Sequence, residues 1–232
     1  MDATARFDPQ ARRFLQAFAS IIGLSGLSTI AGCSTSPVQQ YDEGFEYRAA
    51  PRPQPITTTN GRLKVAEIFW YGCPHCNAME PVINRWVARL PRDVVFRKVH
   101  AGLAPGWVAH QRMFYALESL GRAGALDARV FDAIHGQGAS LGTVAEMVAF
   151  VAEAGLDRDA FVAAFESTAV LEAMARADAF ARAMGVQGVP AIAVNGRWLT
   201  SPGMAGSYAA ALAVADVLLE RERAAGVAGR GM

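Results

Sequence analysis

The stretch Lys64-Val65-Ala66-Glu67-Ile68-Phe69-Trp70-Tyr71-Gly72-Cys73-Pro74-His75-Cys76 decides how this chain folds. From Lys64 to Tyr71 apolar, β-branched and aromatic residues occupy both parities, the pattern of a central strand covered on both faces. One residue does not fit that run, Glu67. Gly72 follows, and a helix is predicted to open at Cys73 with Pro74 in its first turn, where a missing N–H costs nothing. Met79, Ile83, Trp86 and Leu90 continue at helical spacing until Pro91 stops the helix. Val94 to His100 then reads as a second strand, which makes a βαβ unit.

Downstream, helical patterns run from Trp107 to Leu120, from Leu126 to His135, and from Thr143 to Ala154. The last of these opens on a capping box, Thr143 with Glu146. Asp157 precedes a short helix carrying Phe161 and Phe165, and a longer helix from about Ala169 to Met184 ends at Gly185. Pro190 to Val194 and Arg197 to Leu199 flank Asn195-Gly196, a strong hairpin signal. A closing helix is expected from Ala209 to Arg223.

Upstream, Arg6, Arg12 and Arg13 precede an apolar stretch that begins at Phe14 and continues, small and apolar, to Gly32. This is the form of an export signal. Its closing residues Ile30-Ala31-Gly32-Cys33 resemble a bacterial lipobox, by which residues 1–33 form a signal peptide and Cys33 carries the lipid. An uncleaved membrane anchor and an ordinary cleaved signal are the alternatives. Each places the remainder outside the cytoplasm, with a periplasmic, membrane-anchored protein the leading expectation, where disulfides persist. Residues 34–60, rich in Pro, Gln and Thr, read as a flexible tether, so the folded domain is expected over 61–225. In the 232 residues, 22 Lys and Arg nearly cancel 21 Asp and Glu, which leaves no basic field for nucleic acid.

Of the 3 cysteines, Cys73 and Cys76 form a Cys-x-x-Cys pair at a strand-to-helix junction. Unpaired N–H groups and the dipole at a helix N-terminus favour an anion, so Cys73 should be a thiolate at neutral pH and the attacking sulfur, with Cys76 resolving. His75, between them, stands where it can stabilise that thiolate by charge or hydrogen bond. A c-type haem site would need histidine where Asn77 stands, and a structural zinc site needs four ligands. Redox catalysis is the favoured reading, with metal binding and a structural bridge as its rivals. His100, His110 and His135 carry no motif and read as solvated or helix-face residues.

The segment from Glu67 to Cys76 resembles the active-site strand and helix of the DsbA family, and Gly188-Val189-Pro190-Ala191-Ile192-Ala193-Val194-Asn195-Gly196 resembles its proline loop and hairpin. The resemblance covers about Gly61 to Arg223. It implies an α/β thioredoxin-like fold with an inserted helical subdomain, here at about 104–184. It implies a cis Pro190 that presents the Val189 backbone to a substrate strand, a buried acid at Glu67 beneath the disulfide, and an accompanying lysine at Lys98. A buried carboxylate is costly unless paired or protonated, and a proton relay to Cys76 would give Glu67 its reason.

The activity so implied is a monomeric disulfide donor to unfolded exported polypeptides bearing free thiols. A membrane quinone-linked oxidase would reoxidise it, and no dissociable cofactor is needed. A disulfide reductase or isomerase, and a thiol-based metal-binding chaperone, are the alternatives. Isomerases of related fold usually carry an N-terminal dimerisation domain, whereas a tether is expected before Gly61.

Overall fold

Strand β2 (Leu63–Phe69) runs down the middle of the molecule with a neighbour on each side and a core on each face. The structure, a computed structural model, describes residues 40–54 and 61–228. The signal segment, the lipobox with Cys33, and residues 34–39 and 55–60 of the expected tether lie outside the described residues.

The sheet has five strands in the order β1-β5-β4-β2-β3. Strand β3 (Val94–His100) pairs parallel with β2, and β4 (Ala191–Val194) pairs antiparallel with it. The register sets Glu67 opposite Lys98 on one side and Ile192 on the other. Helix α1 (Pro74–Val87) makes the crossover between β2 and β3. It buries Cys76, Met79, Glu80, Ile83 and Trp86, the stripe that a 3.6-residue period lays on one face.

One core lies between the sheet and the helices α1 and α8 (Tyr208–Ala228), built from Val65, Ile83, Trp86, Ile192 and Leu218 among others. The second lies under the helices that separate β3 from β4: α2 (Val108–Ser119), α3 (Ala123–Phe131), α4 (Val144–Glu153), α5 (Arg158–Glu166) and α6 (Thr168–Ala183). The capping box forms, with the Thr143 hydroxyl accepting from the Glu146 amide at 3.3 Å while the Thr143 amide donates to the Glu146 carboxylate at 3.0 Å. Beyond α3 the chain continues through a π-turn, Asp132–Gly136. Between β4 and β5 (Trp198–Thr200), Asn195 and Gly196 both take positive φ, 49° and 60°, the type I′ turn that matches strand twist. A short helix α7 (Pro202–Ala205) leads into α8, and no helix among the described residues is long and apolar enough to cross a membrane.

Residues 40–54 correct the tether expectation. Strand β1 (Tyr47–Ala49) pairs antiparallel with β5, the Ala50 amide donates to the Arg197 carbonyl at 2.7 Å, and the Gln54 amide donates to the Gly196 carbonyl at 2.8 Å. Three residues of mixed polarity carry no readable period, and what orders them is a distant edge needing a partner. Tyr47 is 8% exposed, packs edge-on to Trp198 at 5.7 Å and accepts a hydrogen bond from Arg221. Tyr47→Ala is expected to cost about 2–4 kcal/mol in denaturant unfolding, a loss typical of a buried aromatic and absent from a tether residue.

Candidate functional site

Cys73 is the N-cap of α1, in extended backbone conformation, with its sulfur 3.4 Å from the Cys76 amide that donates to it. The Cys73 pKa falls to about 6 from the ordinary thiol value. The main cause is hydrogen bonding from the Cys76 thiol, aided by the backbone amides of residues 76 and 75 and by the charge of His75, against the opposing effect of burial. Cys76 is shifted the other way, far up, by burial and by its donation to Cys73. Both are free thiols. Cys73 is 6% exposed against 0% for Cys76, so exposure differs little between the two sulfurs. What separates the two sulfurs is chiefly charge, favoured at Cys73 by the Cys76 thiol and the amides of the helix N-terminus and disfavoured at Cys76 by burial.

A groove of ≈ 860 Å³ runs beside the pair, lined by His75, Val189, Pro190, Met204 and Tyr208, with the exposed Phe45 at its wall. The Val189-Pro190 bond is cis, as the resemblance implied, and the Val189 carbonyl lies 3.5 Å from the Cys73 sulfur, able to accept from its thiol form. Pro74 and His75 are exposed on the first turn of α1, and His75 Nδ1 lies 3.3 Å from the Tyr208 hydroxyl.

The three histidines without a motif converge on Trp70-Tyr71, the dipeptide leading into the active turn. His100, fully buried, accepts from the Tyr71 amide through Nε2 at 3.2 Å. His135 Nε2 lies 2.8 Å from the Tyr71 carbonyl, which can only accept. His110 accepts from the Trp70 indole N–H through Nδ1 at 3.1 Å. Burial lowers the pKa values of His100 and His110, which keeps both acceptors available. The reading of these histidines as solvated or helix-face residues is thereby corrected, because strand register sets His100 beside the end of β2 while α2 and the π-turn fold His110 and His135 back onto it. Trp70 also stacks on Trp107 at 4.7 Å, and a side-chain carbon at residue 72 would meet the Trp70 ring at 2.2 Å, so Gly72 is required by space.

Beneath the cysteines lies Glu67, 0% exposed, with neither carboxyl oxygen hydrogen-bonded. Desolvation raises its pKa to about 8, against the opposing field of Lys98 and with a push from Glu80 and Asp127. Lys98 Nζ is 3.7 Å from Glu67 and hydrogen-bonds to Glu80 and Asp127. Its ammonium also sits over the rings of Phe69 and Phe131, at 4.8 and 5.2 Å. Burial alone would lower the Lys98 pKa, but Glu67, Asp127 and Glu80 together hold it up. Three carboxyls therefore surround one ammonium in a poorly hydrated place, and a full set of charges there would cost more than it returns. The carboxyl without a hydrogen bond, Glu67, is the one suited to hold a proton.

Sequence reading thus gave Cys73, Cys76 and His75, the family resemblance added Pro190, Val189, Glu67 and Lys98 to their neighbourhood, and both missed Glu80 and Asp127. Glu80 was readable, since it falls four residues after Cys76 on the buried stripe of α1. Asp127 was not, because its partner lies 29 residues earlier on a strand that only the tertiary fold brings near.

Comparison with known proteins agrees with this geometry. A family model for the DSBA-like thioredoxin domain matches residues 64–210. The thiol:disulfide interchange protein DsbA of Azotobacter vinelandii is 42% identical over 182 residues, covering 78% of this chain and 85% of that one. Its Pseudomonas aeruginosa counterpart is 40% identical over 185 residues, covering 80% and 87%. Among solved structures, Pseudomonas aeruginosa DsbA superposes with a TM-score of 0.76 over 80% of this chain and 96% of that one, at 40% identity. The oxidoreductase DsbA from Xylella fastidiosa gives 0.72 at 32% identity, covering 77% and 96%. With relatives this similar covering most of both chains, and a family match across both cysteines and the proline loop, the chain belongs to the DsbA-like thioredoxin family.

Proposed function

We propose that this chain, a thiol-disulfide oxidoreductase, works as a disulfide donor to unfolded exported polypeptides that carry free thiols. The observation that carries the reading is the asymmetry of the pair, a sulfur favoured as thiolate at Cys73 beside a buried, protonated Cys76. A stabilised leaving thiolate at Cys73 makes the oxidised pair a willing donor. A substrate thiolate attacks Cys73 in the disulfide, a mixed disulfide forms there, and Cys76 departs as a thiolate. That thiolate takes the proton held by Glu67, which is near enough for its charge to raise Cys76. The substrate's second thiolate then attacks its own sulfur in the mixed disulfide, forming the product disulfide and releasing Cys73 as thiolate. Pro190, which has no N–H, and the Val189 backbone flank the place where the substrate chain would lie. Reoxidation returns both electrons to a membrane quinone-linked oxidase.

Oxidised protein mixed with a reduced, unfolded polypeptide at pH 7 is expected to transfer one disulfide per molecule within minutes. Failure to oxidise the substrate, with rapid reduction of disulfides by the dithiol form instead, would favour the reductase reading. Among the described residues no three His, Cys, Asp or Glu side chains cluster as metal ligands would. Metal content of the purified protein separates the metal-binding chaperone from both.

The same proposal has the protein in the periplasm, held by lipid at Cys33, on the strength of the Ile30-Ala31-Gly32-Cys33 signature. Cys33→Ser is expected to abolish incorporation of labelled fatty acid while leaving disulfide transfer in solution intact. A wild-type N-terminus without acyl mass would refute the anchor.

A further inference from the structure

The catalytic body is joined to its helical insertion by a polar contact that the redox reading does not explain. Asp127 lies on α3, 9% exposed, among the apolar side chains Leu126, Val130 and Phe131. One of its carboxyl oxygens accepts from Lys98, while the other is buried with no hydrogen bond. From α1, Glu80 accepts from the same ammonium. The Lys98 side chain starts directly across the sheet from Glu67, yet its Nζ reaches the two other carboxylates and stops 3.7 Å short of that acid.

We propose that Asp127 is a positioning residue of the redox site: together with Glu80 it holds the Lys98 ammonium on the far carboxylates and keeps it from hydrogen-bonding Glu67. This rests on the reading of Glu67 as the proton donor to Cys76. An ammonium bonded directly to Glu67 would hold that carboxyl ionised, with no proton to give. An ammonium committed elsewhere leaves it neutral. The charged and titratable groups facing Glu67 are Lys98 from β3, Glu80 and Cys76 from α1, and Asp127 from α3, while β4 presents the apolar Ile192. Removing the charge of Asp127 acts in one direction twice, since it frees Lys98 to approach Glu67 and deletes a neighbouring negative charge. Both effects ease ionisation of Glu67. The insertion thus does more than cover the sheet, for it sets the protonation of an acid in the thioredoxin body.

The test is a carboxyl titration of the full reduced chain carrying Glu labelled with carbon-13 at Cδ, followed by NMR, with Glu67→Gln assigning the resonance. In Asp127→Asn the Glu67 midpoint is expected to fall by about one pH unit or more, the size of effect an approaching opposite charge produces. Asp127→Glu, which restores the charge, should bring it back toward the wild-type position. Asp127→Ser serves the same comparison if the Asn variant does not fold. A midpoint unmoved by loss of the Asp127 charge, or moved equally by Asp127→Glu, overturns the proposal. The underlying reading has its own control, the pH profile of disulfide transfer by Glu67→Gln. If that profile matches wild type while the Asp127→Asn midpoint falls, the positioning role stands and the proton-donor role of Glu67 fails.

Discussion

Cys76→Ala is expected to accumulate mixed disulfides with its substrates, while Cys73→Ala is expected to form none and to lose disulfide transfer altogether. With a pKa of about 6, Cys73 is roughly nine-tenths thiolate at pH 7, and the thiolate is the nucleophile. Cys76 is pushed so far up that its thiolate is negligible at that pH, and it is fully buried. Removing Cys76 leaves an attacking sulfur with no neighbour to release what it captures. Removing Cys73 leaves a sulfur that is neither charged nor reachable. Steady-state transfer should fall by roughly three orders of magnitude or more in both variants, because the two sulfurs act as one unit. Only non-reducing gels distinguish them, by a ladder of reducible adducts with Cys76→Ala. Equal trapping by both variants would mean that the roles of the sulfurs are misassigned.

The second large effect is on stability, and its sign follows from the same sulfur. Cys73 has a folded-state pKa of about 6 against 9.0 for the free thiol, so the reduced protein gains stability that is complete above the unfolded value and is lost as pH falls through the folded one. The oxidised protein has no thiolate and no such gain, whereas Glu67 is present in both forms. The difference between the unfolding free energies of reduced and oxidised protein should therefore move in favour of the reduced form between pH 6 and pH 9. The expected change is about 2–3 kcal/mol, the lower end allowing for solvent screening at a helix terminus. Denaturant melts of both forms at pH 6, 7.5 and 9 measure it. A difference independent of pH would remove the thiolate from the argument, and an oxidised form favoured throughout would point to a reductase.

The two pH-linked groups respond to opposite conditions. Lowering pH through 6 protonates Cys73 and slows its chemistry, while raising pH through about 8 ionises Glu67 and takes away the proton for Cys76. Turnover limited by these two groups would pass through a maximum between those values, which is the pH range where the asymmetry of the site is intact.

The sequence alone determined those features whose cause is local. The run of β-branched and aromatic residues before Gly72 specified a buried strand because such side chains suit a pleat covered on both faces. Pro74 and the stripe Met79, Ile83 and Trp86 specified where α1 begins and which way it faces, and the amides at that N-terminus, with the Cys76 thiol one turn on, favour the Cys73 thiolate. Asn195-Gly196 specified the hairpin, since both positions need positive φ. Glu67 declared itself by being a charge in an apolar run.

Tertiary structure decided the rest, because it depends on partners that no local pattern encodes. The strand at Tyr47–Ala49 exists because β5 presents an open edge. His110 and His135 join His100, which ends β3, at Trp70-Tyr71 because α2 and the π-turn fold back onto the end of β2. Lys98 has one neighbour set by strand register and two set by helices, and it bonds to the latter. Which carboxyl keeps its proton is then a matter of where one ammonium points, a contact energy among four side chains from four separate elements. The order of residues along the chain supplies each of those groups, and only packing settles the distances between them.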